Sequence, residues 1–187
     1  MKTALLLLDF QKDHFPGGKH PLANALEAAK KAYMILQCFR EHGGRHVHIQ
    51  HISQEPDATF FISGDRGTDI HDSVAHFEGE PIVYKHEANA FRNTELLELL
   101  RSWEIERIVV CGMMTHLDVD ATVRAASELG FHVIVAEDAC ATRDLSQGDR
   151  TLSADLVQKS FLAAFKSYGK VMKSEPILAL LAAEMVK

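Results

Sequence analysis

Short apolar segments that alternate with amphipathic segments constrain the fold of this chain more than any other feature of its sequence. Residues 4–8 form a continuous apolar run, which is typical of a strand covered on both faces in a parallel sheet. Residues 21–42 carry apolar side chains at helical spacing and precede Gly43 and Gly44, which predicts a helix and its C-terminal stop. Residues 46–52 then predict a second strand, so the pattern indicates a crossover unit with parallel strands.

The same alternation continues along the rest of the chain, apart from a long polar region at residues 53–80. That region is rich in Asp, Gly and His, and we expect a loop over one end of the sheet. Further strands are predicted at residues 82–84, 108–111, 132–136 and 170–172. Further helices are predicted at residues 94–103, 117–129 and 151–168, and a last helix is capped by Ser174 with Pro176 in its first turn. We therefore predict one doubly wound α/β domain spanning residues 1–187.

Composition argues against several classes of function. The chain has 187 residues, 47% of them hydrophobic and 25% charged, as in an ordinary soluble domain. A formal charge of −6 argues against a nucleic acid or an anionic membrane as a partner. No apolar stretch reaches the length of a membrane span, and the apolar N-terminus is interpreted as a buried strand and not as a signal peptide. Three cysteines at unrelated spacings, Cys38, Cys111 and Cys140, predict reduced thiols in a cytoplasmic protein.

Ionisable residues follow three of the predicted strands. Asp9 closes the first strand, Lys85 closes the third, and the loop ending in Asp118 follows the fourth. Ligands of open parallel sheets bind beyond the carboxyl ends of the strands, so these side chains are candidates for a functional site. Burial after four leucines would raise the pKa of Asp9, and a nearby ammonium would lower it. Taken singly, Asp9 could instead brace a loop and Lys85 could be a solvated strand end.

Asp118 also has a purely structural interpretation. Thr115 and Asp118 have the spacing of a capping box at a helix start. An acidic residue in the first turn is favoured by the helix dipole by about 0.3–1 kcal/mol. The same positive helix end would stabilise a thiolate or an oxyanion, so local physics accepts an aspartate here without making it a strong nucleophile.

Three segments of the chain resemble the isochorismatase-like cysteine hydrolases. They read LLLLDFQKDHF followed by PGG, GTDIH followed by GEPIVYKHEANAF, and VVCGMMTHLDVDATVRAASELGFHVIVAEDACAT. The last matches the family pattern G-x-x-T-x-x-C-V-x-x-T at every element except one, because Asp118 stands where the family has its nucleophilic cysteine. The resemblance implies a three-layer α/β/α fold around a six-stranded parallel sheet, and a homo-oligomer, either a dimer or a tetramer.

The resemblance also implies a role for each site residue. Asp9 would be the general base or acid, Lys85 would stabilise charge, and position 118 would be the nucleophile. The backbone N–H groups of Met114 and Asp118 would form the oxyanion hole, and the Met113–Met114 peptide would be cis. In relatives with cysteine, the thiolate attacks an amide carbonyl, and water then cleaves the acyl-enzyme.

Asp118 leaves three hypotheses open. The chain is an amidohydrolase acting on a C–N bond of a small amide, with a cysteine replaced by Asp118 in the laboratory. Alternatively, it is a natural non-thiol hydrolase that cleaves a vinyl ether with Asp9 as the acid, as isochorismatases do. Finally, it is a non-catalytic protein that binds a small molecule. A second carboxylate facing Asp9 should in each case raise one of the two pKa values.

The remaining candidates concern the substrate pocket and metals. Phe15, Phe91 and His116 are expected to line the pocket, although both phenylalanines could equally belong to the core. Eleven histidines raise the question of a metal site, but the Asp-x-His pair by which nicotinamidases of this family hold a metal is absent after the second strand. We therefore expect no metal and no cofactor, and a small molecule as the substrate.

Overall fold

The computed structural model describes residues 1–185 and contains eight strands in that part of the chain. They are β1 (Thr3–Leu8), β2 (Arg45–His51), β3 (Ile82–Lys85), β4 (Arg107–Met113), β5 (His132–Ala141), β6 (Leu145–Gln147), β7 (Arg150–Leu152) and β8 (Gly169–Met172). Six of them form one parallel sheet in the order β3-β2-β1-β4-β5-β8. The predicted six-stranded parallel sheet is confirmed. The other two, β6 and β7, form a separate antiparallel hairpin.

Helices cover both faces of the sheet, as the continuous apolar strands require. They are α1 (Ala25–Glu41), α2 (Leu96–Ser102), α3 (Asp120–Glu128), α4 (Ala154–Phe165) and α5 (Ser174–Met185). Successive side chains of a strand point to opposite faces. Leu5 and Leu7 of β1 therefore pack with α1 and α5, whereas Leu6 and Leu8 pack with α2, α3 and α4. The predicted three-layer α/β/α arrangement is confirmed.

The order of the strands reverses between β1 and β4. From this point the chain moves outward through β2 and β3 in one direction and through β5 and β8 in the other. The two central strands approach closely at their carboxyl ends, because a Cβ on Gly112 would lie 2.5 Å from Cβ of Leu8. Only a glycine fits there. A ligand crevice is expected just beyond this point of an open parallel sheet.

Several predicted element bounds are wrong. The first long helix begins at Ala25 and not at residue 21, because Asn24 adopts a positive φ of 59° immediately before it. Residues 151–168 were predicted to be helical, but Thr151 and Leu152 belong to β7, and α4 begins only after Ser153, whose Oγ accepts a hydrogen bond from the Leu156 N–H. β5 runs five residues beyond its predicted end, because its extension pairs with the last residues of β4 after a register shift.

The predicted loop over the sheet edge lies at the carboxyl ends of the strands. It contains two short 3-10 turns, Arg66–Thr68 and Asp72–Val74. Buried Asp13 holds it in place, since its carboxylate accepts hydrogen bonds from the N–H groups of Phe61 at 2.7 Å and Lys19 at 3.1 Å. The loop is thereby fixed against the segment that follows β1. None of the helices within residues 1–185 is long and apolar enough to cross a membrane.

Candidate active site

The structure brings together the three ionisable residues that follow separate strands. Nζ of Lys85 lies 2.7 Å from Oδ2 of Asp9 and 2.7 Å from Oδ1 of Asp118. Asp9 and Lys85 are fully buried, and Asp118 is 4% exposed. We call this group the Asp9–Lys85–Asp118 cluster. It combines two carboxylates and one ammonium in a region almost without solvent.

Each side chain reaches the cluster from a different element. Asp9 directly follows β1 and has a φ of 52°, a conformation that residues other than glycine rarely adopt and that often marks functional sites. Lys85 is the last residue of β3, which lies two strands away from β1, so its long side chain extends across the end of β2. Asp118 lies in a π-helical turn, Thr115–Val119, between β4 and α3.

The two carboxylates are not equivalent. Burial raises the pKa of Asp9 well above its usual value, an effect that Lys85 opposes and the charge of Asp118 reinforces. Burial acts in the same direction on Asp118, but Lys85 outweighs it and lowers the pKa of that carboxyl. The hydrogen bonds agree with this difference in pKa. The Asp118 carboxylate also accepts from the Met114 N–H at 3.3 Å, whereas within residues 1–185 only Lys85 approaches the Asp9 oxygens as a donor. The pKa of Asp9 therefore lies above that of Asp118, so Asp9 is the carboxyl group of the pair that is protonated first.

Lys85 remains an ammonium ion in this environment. Burial alone would lower its pKa, but the two adjacent carboxylates more than compensate, and the pKa of Lys85 is raised. With Asp9 protonated and Asp118 ionised, the cluster contains one positive and one negative charge. This balance makes the burial of three ionisable groups tolerable, since an unpaired charge in the interior is very costly.

The turn around Asp118 is not the capping box that the sequence allows. The hydroxyl of Thr115 donates to the carbonyl oxygen of Ala141 at 3.1 Å, and the residue before the turn, Met114, makes no side-chain capping bond. The carboxylate of Asp118 points to Lys85 and to the Met114 N–H. Consequently, the Met114 N–H that the resemblance assigns to the oxyanion hole is already bonded to Asp118. The Met113–Met114 peptide bond is cis.

A cavity of about 300 Å³ opens above Asp118. We call it the Asp118 cavity, and most of its walls come from the loop after β2. Its lining residues are His51, Ser53, Glu55, Asp57, Ala58, Thr59, Phe60, Phe61, Met114, Leu117 and Asp118. The largest side chains among them are apolar, and Glu55, Asp57 and Asp118 add carboxylates, so the cavity offers a partly apolar enclosure for a small molecule.

Three of the expected pocket residues lie outside this cavity. Phe15 is buried and stacks on the ring of His71 at 3.6 Å. Phe91 packs against the core on the side of α2, α3 and α4. His116 contacts Oγ1 of Thr142 through Nδ1 at 2.6 Å. The prediction that they line the cavity is wrong, because each of the three side chains is engaged in packing or hydrogen bonding elsewhere.

The sequence-based prediction of the site missed His51, Phe60 and Phe61. His51 pairs in register with Lys85 across β2 and β3, so its place near the end of the predicted second strand was a signal for it. The two phenylalanines lie in an irregular loop, and hydrophobic periodicity gives no information about which side chains of such a loop face a cavity.

The residues of the site do not fit a metal ion in this arrangement. Asp9, His51 and Asp118 offer ligand atoms within 4.8 Å of one another. However, the Lys85 ammonium lies 2.7 Å from both carboxylates and 2.9 Å from Nδ1 of His51. A divalent cation would have to displace this ammonium or be repelled by it. Lys85 thus provides the positive charge that a metal would otherwise supply.

Comparison with known proteins identifies the family. The sequence model of the isochorismatase domain matches residues 3–175, nearly the whole chain. The chain belongs to the isochorismatase family. The resemblance drawn from its motifs is therefore confirmed, and the protein is a hydrolase of that family.

Individual relatives and solved structures of the isochorismatase family agree over most of the length. The isochorismatase family protein YddQ of Bacillus subtilis (strain 168), which is uncharacterized, is 42% identical over 179 residues, covering 95% of this chain and 99% of that protein. A structure from Oleispira antarctica assigned as an isochorismatase hydrolase is 41% identical, with a TM-score of 0.92 and coverage of 95% and 96% of the two chains. A streptothricin hydrolase of Streptomyces noursei is 32% identical over 142 residues, covering 76% of this chain and 50% of that protein.

Proposed function

We propose that this isochorismatase-family hydrolase cleaves a C–N bond of a small amide with the Asp9–Lys85–Asp118 cluster. The observation that carries the proposal is that a buried acid, an ammonium and a second carboxylate contact one another, and that the second carboxylate, Asp118, lines a cavity of about 300 Å³. A relative in this family is named for the hydrolysis of streptothricin. The cavity limits the scissile part of the substrate to a small group.

The chemistry follows from the different protonation of the two carboxyl groups. Ionised Asp118 removes a proton from a water molecule, and the hydroxide oxygen forms a bond to the amide carbonyl carbon. Protonated Asp9 transfers its proton to the amide nitrogen as the C–N bond breaks, which releases an amine and a carboxylic acid. The proton on Asp118 then restores the acid form of Asp9. The Lys85 ammonium contacts one oxygen of Asp9 and one of Asp118, and its positive charge balances the single negative charge of the two carboxyl groups.

An amide panel tests this proposal. We would incubate the protein with p-nitroacetanilide, benzamide and N-carbamoylglycine, and measure the release of amine or ammonia. Asp118→Cys should raise turnover by about 100-fold, because a thiolate can attack the amide carbonyl itself, whereas Asp118 acts only as the base for water. Asp9→Asn should reduce hydrolysis to a small residual rate in both backgrounds.

The matched control is Asp120→Asn, which alters a carboxylate two residues away. Asp120 pairs with Arg124 at 2.9 Å on α3 and does not line the Asp118 cavity, so turnover should not change. Absence of amide hydrolysis by the protein and also by its Asp118→Cys variant, over the whole panel, would contradict the proposal.

The raised pKa of Asp9 favours a second candidate function, the acid-catalysed cleavage of a vinyl ether. In that reaction, a protonated Asp9 donates to the enol carbon and no thiol is needed. An enolpyruvyl ether serves as the probe, with pyruvate release as the readout. The expected result is activity in the unaltered protein that Asp9→Asn abolishes and that thiol reagents leave unchanged. A shift in melting temperature with every ligand, without turnover of any, would instead indicate a non-catalytic binding protein.

We also propose that the protein is a cytoplasmic homo-oligomer. Three unpaired cysteines, Cys38, Cys111 and Cys140, support a reducing compartment. Leu117, Leu152 and Leu156 are 40–50% exposed, and this supports a surface that is covered in an assembly. Light scattering coupled to size-exclusion chromatography measures the mass directly, and a monomer at micromolar concentration would contradict the oligomer.

A further inference from the structure

His51 is a polar residue of the Asp118 cavity that contacts the Asp9–Lys85–Asp118 cluster and has no role in the mechanism above. It is the last residue of β2, lies in register with Lys85 on β3, and lines the cavity. Its side chain is 19% exposed and packs beside the ring of Phe61 at 5.7 Å. The imidazole ring is therefore mostly buried but still borders the Asp118 cavity.

The contact with Lys85 determines which nitrogen of the ring holds the proton. Nδ1 of His51 lies 2.9 Å from Nζ of Lys85. A lysine ammonium can only donate. Its three protons face four acceptors, and the carbonyl oxygen of Glu87, at 3.1 Å, is the most distant of them, so Nδ1 of His51 accepts with its lone pair. Nδ1 lies 3.7 Å from Oδ1 of Asp118, which is too far for a hydrogen bond. The contact with Lys85 therefore places the ring proton on Nε2.

The backbone of His51 is held as firmly as its ring. Fully buried Gln11 accepts from the His51 N–H at 2.8 Å and donates to the His51 carbonyl oxygen at 2.7 Å. The same Gln11 side chain donates to the carbonyl oxygen of Thr68 at 2.9 Å, which anchors the amide itself. A donor fixed in this way does not have to reorganise when a substrate binds, and such preorganisation is what makes hydrogen bonds effective in catalysis.

The proton on Nε2 has no acceptor within residues 1–185. At the same time, the Met114 N–H is engaged by Oδ2 of Asp118, so the site lacks a donor that its relatives with cysteine would have. We propose that Nε2–H of His51 donates a hydrogen bond to the carbonyl oxygen of the substrate and stabilises the negative charge that develops there. This assignment rests on the proposed amide hydrolysis and makes His51 a catalytic residue of that reaction. It also restricts substrates to those that present an acceptor oxygen beside the scissile bond.

Two substitutions separate this role from simple bracing of Lys85. In His51→Asn the amide oxygen can replace Nδ1 as the acceptor for Lys85, but the donor to the cavity is lost. In His51→Gln the longer side chain places an amide N–H near the position of Nε2, but the acceptor for Lys85 is lost. We would measure kcat and KM of both variants with p-nitroacetanilide, with His42→Asn on the surface of the molecule as the control.

The donor role predicts that kcat falls about 100-fold in His51→Asn, as for the loss of one oxyanion donor, and less than about 10-fold in His51→Gln. The reverse order would overturn the proposal and assign His51 to the positioning of Lys85. An equal loss in both folded variants would also overturn it, because a retained donor would then have no effect.

A measurement that does not depend on turnover tests the tautomer directly. With ¹⁵N-labelled histidine, the imidazole nitrogens of His51 should show a protonated Nε2 and an unprotonated Nδ1 at neutral pH. An Nδ1–H tautomer or a fully protonated ring would overturn the donor assignment. If the tautomer is as inferred and p-nitroacetanilide is not hydrolysed by any variant, the proposed amidase function fails while the state of the ring stands.

Discussion

One proton shared between two carboxyl groups defines the chemistry of this site. Asp9 and Asp118 contact the same ammonium at equal distances of 2.7 Å, so the lysine alone does not distinguish them. The difference arises from the remaining surroundings, since Asp9 is wholly enclosed and Asp118 has a backbone donor and slight exposure. In the proposed reaction, these two chemically identical side chains therefore take opposite roles, Asp9 as the acid and Asp118 as the base.

The rate should decline at alkaline pH because of Asp9. Its folded-state pKa is raised, so the proton it donates is present below that pKa and is lost as the pH rises through it. The pKa of Asp118 is lowered, so its base form persists to strongly acidic pH. We expect kcat/KM for p-nitroacetanilide to show one alkaline limb and no acidic limb between pH 5 and 7 that belongs to Asp118. An unchanged alkaline limb in a residually active Asp9→Asn variant would assign that limb to another group.

Lys85→Met should destabilise the protein in a pH-dependent manner. Removal of the ammonium leaves a buried carboxylate without its counter-ion, which costs about 3 kcal/mol of unfolding free energy at pH 7. At pH 4 the loss should be smaller, because Asp118 can then take up a proton and become neutral. Urea unfolding at the two pH values measures both losses. Lys159→Met on α4, where Lys159 pairs with Asp155 on the surface, is the control and should change stability by less than about 0.5 kcal/mol. Equal losses for Lys85→Met at pH 4 and pH 7 would contradict this account.

At the scale of elements, strand ends were predictable and the segments between them were not. The apolar runs before Asp9 and Lys85 indicated parallel strands, and the rule for open sheets placed both residues at one edge. The π-helical turn Thr115–Val119 was not predictable, since its letters suit an ordinary helix start. Its geometry depends on the contact between Asp118 and Lys85, which are distant in sequence.

The β6–β7 hairpin shows a different limit of sequence reasoning. Its residues are almost all exposed, so they contain no alternation of apolar and polar positions that would indicate a strand. Helical spacing in the following segment extended the predicted helix back to Thr151, over the last two residues of β7. Pairing of Leu145 with Leu152, a contact between two exposed strands, determines the structure there.

The start of α5 should depend on Asp138 of β5. The Asp138 carboxylate accepts hydrogen bonds from the N–H and the hydroxyl of Ser174, both at 2.8 Å, and so satisfies the first turn of the helix. We expect Asp138→Ala to lower the free energy of unfolding by about 1–2 kcal/mol, as for the loss of a helix cap. Urea unfolding measures the change, with Glu137→Ala as the neighbouring control. A loss no larger than that of the control would show that α5 begins without help from β5.

For the molecule as a whole, buried histidines oppose acid stability. His14 and His48 are almost fully enclosed, and burial lowers the pKa of each to about 4. For His48 the attraction of Glu80, whose oxygen lies 3.6 Å away, offsets only part of that effect. Because an unfolded histidine titrates near 6.5, the unfolded chain binds more protons than the folded one between these values. Each histidine therefore removes stability as the pH falls from about 6.5 to about 4.

His48→Phe should make the protein less sensitive to acid. Without His48, the unfolded chain binds one proton fewer in excess of the folded chain at pH values between about 6.5 and 4. The slope of unfolding free energy against pH in this range should therefore decrease by about 1.4 kcal/mol per pH unit. The slopes of the unaltered protein and the variant are compared because the raised pKa of Asp9 also makes stability depend on pH, in the sense opposite to His48. This contribution is the same in both proteins and cancels in the comparison. Urea unfolding at several pH values gives the slopes, and His42→Phe at an exposed position should leave the slope unchanged. If His48→Phe and His42→Phe have the same slope, the buried ring of His48 is protonated in the folded protein or is not the group that titrates.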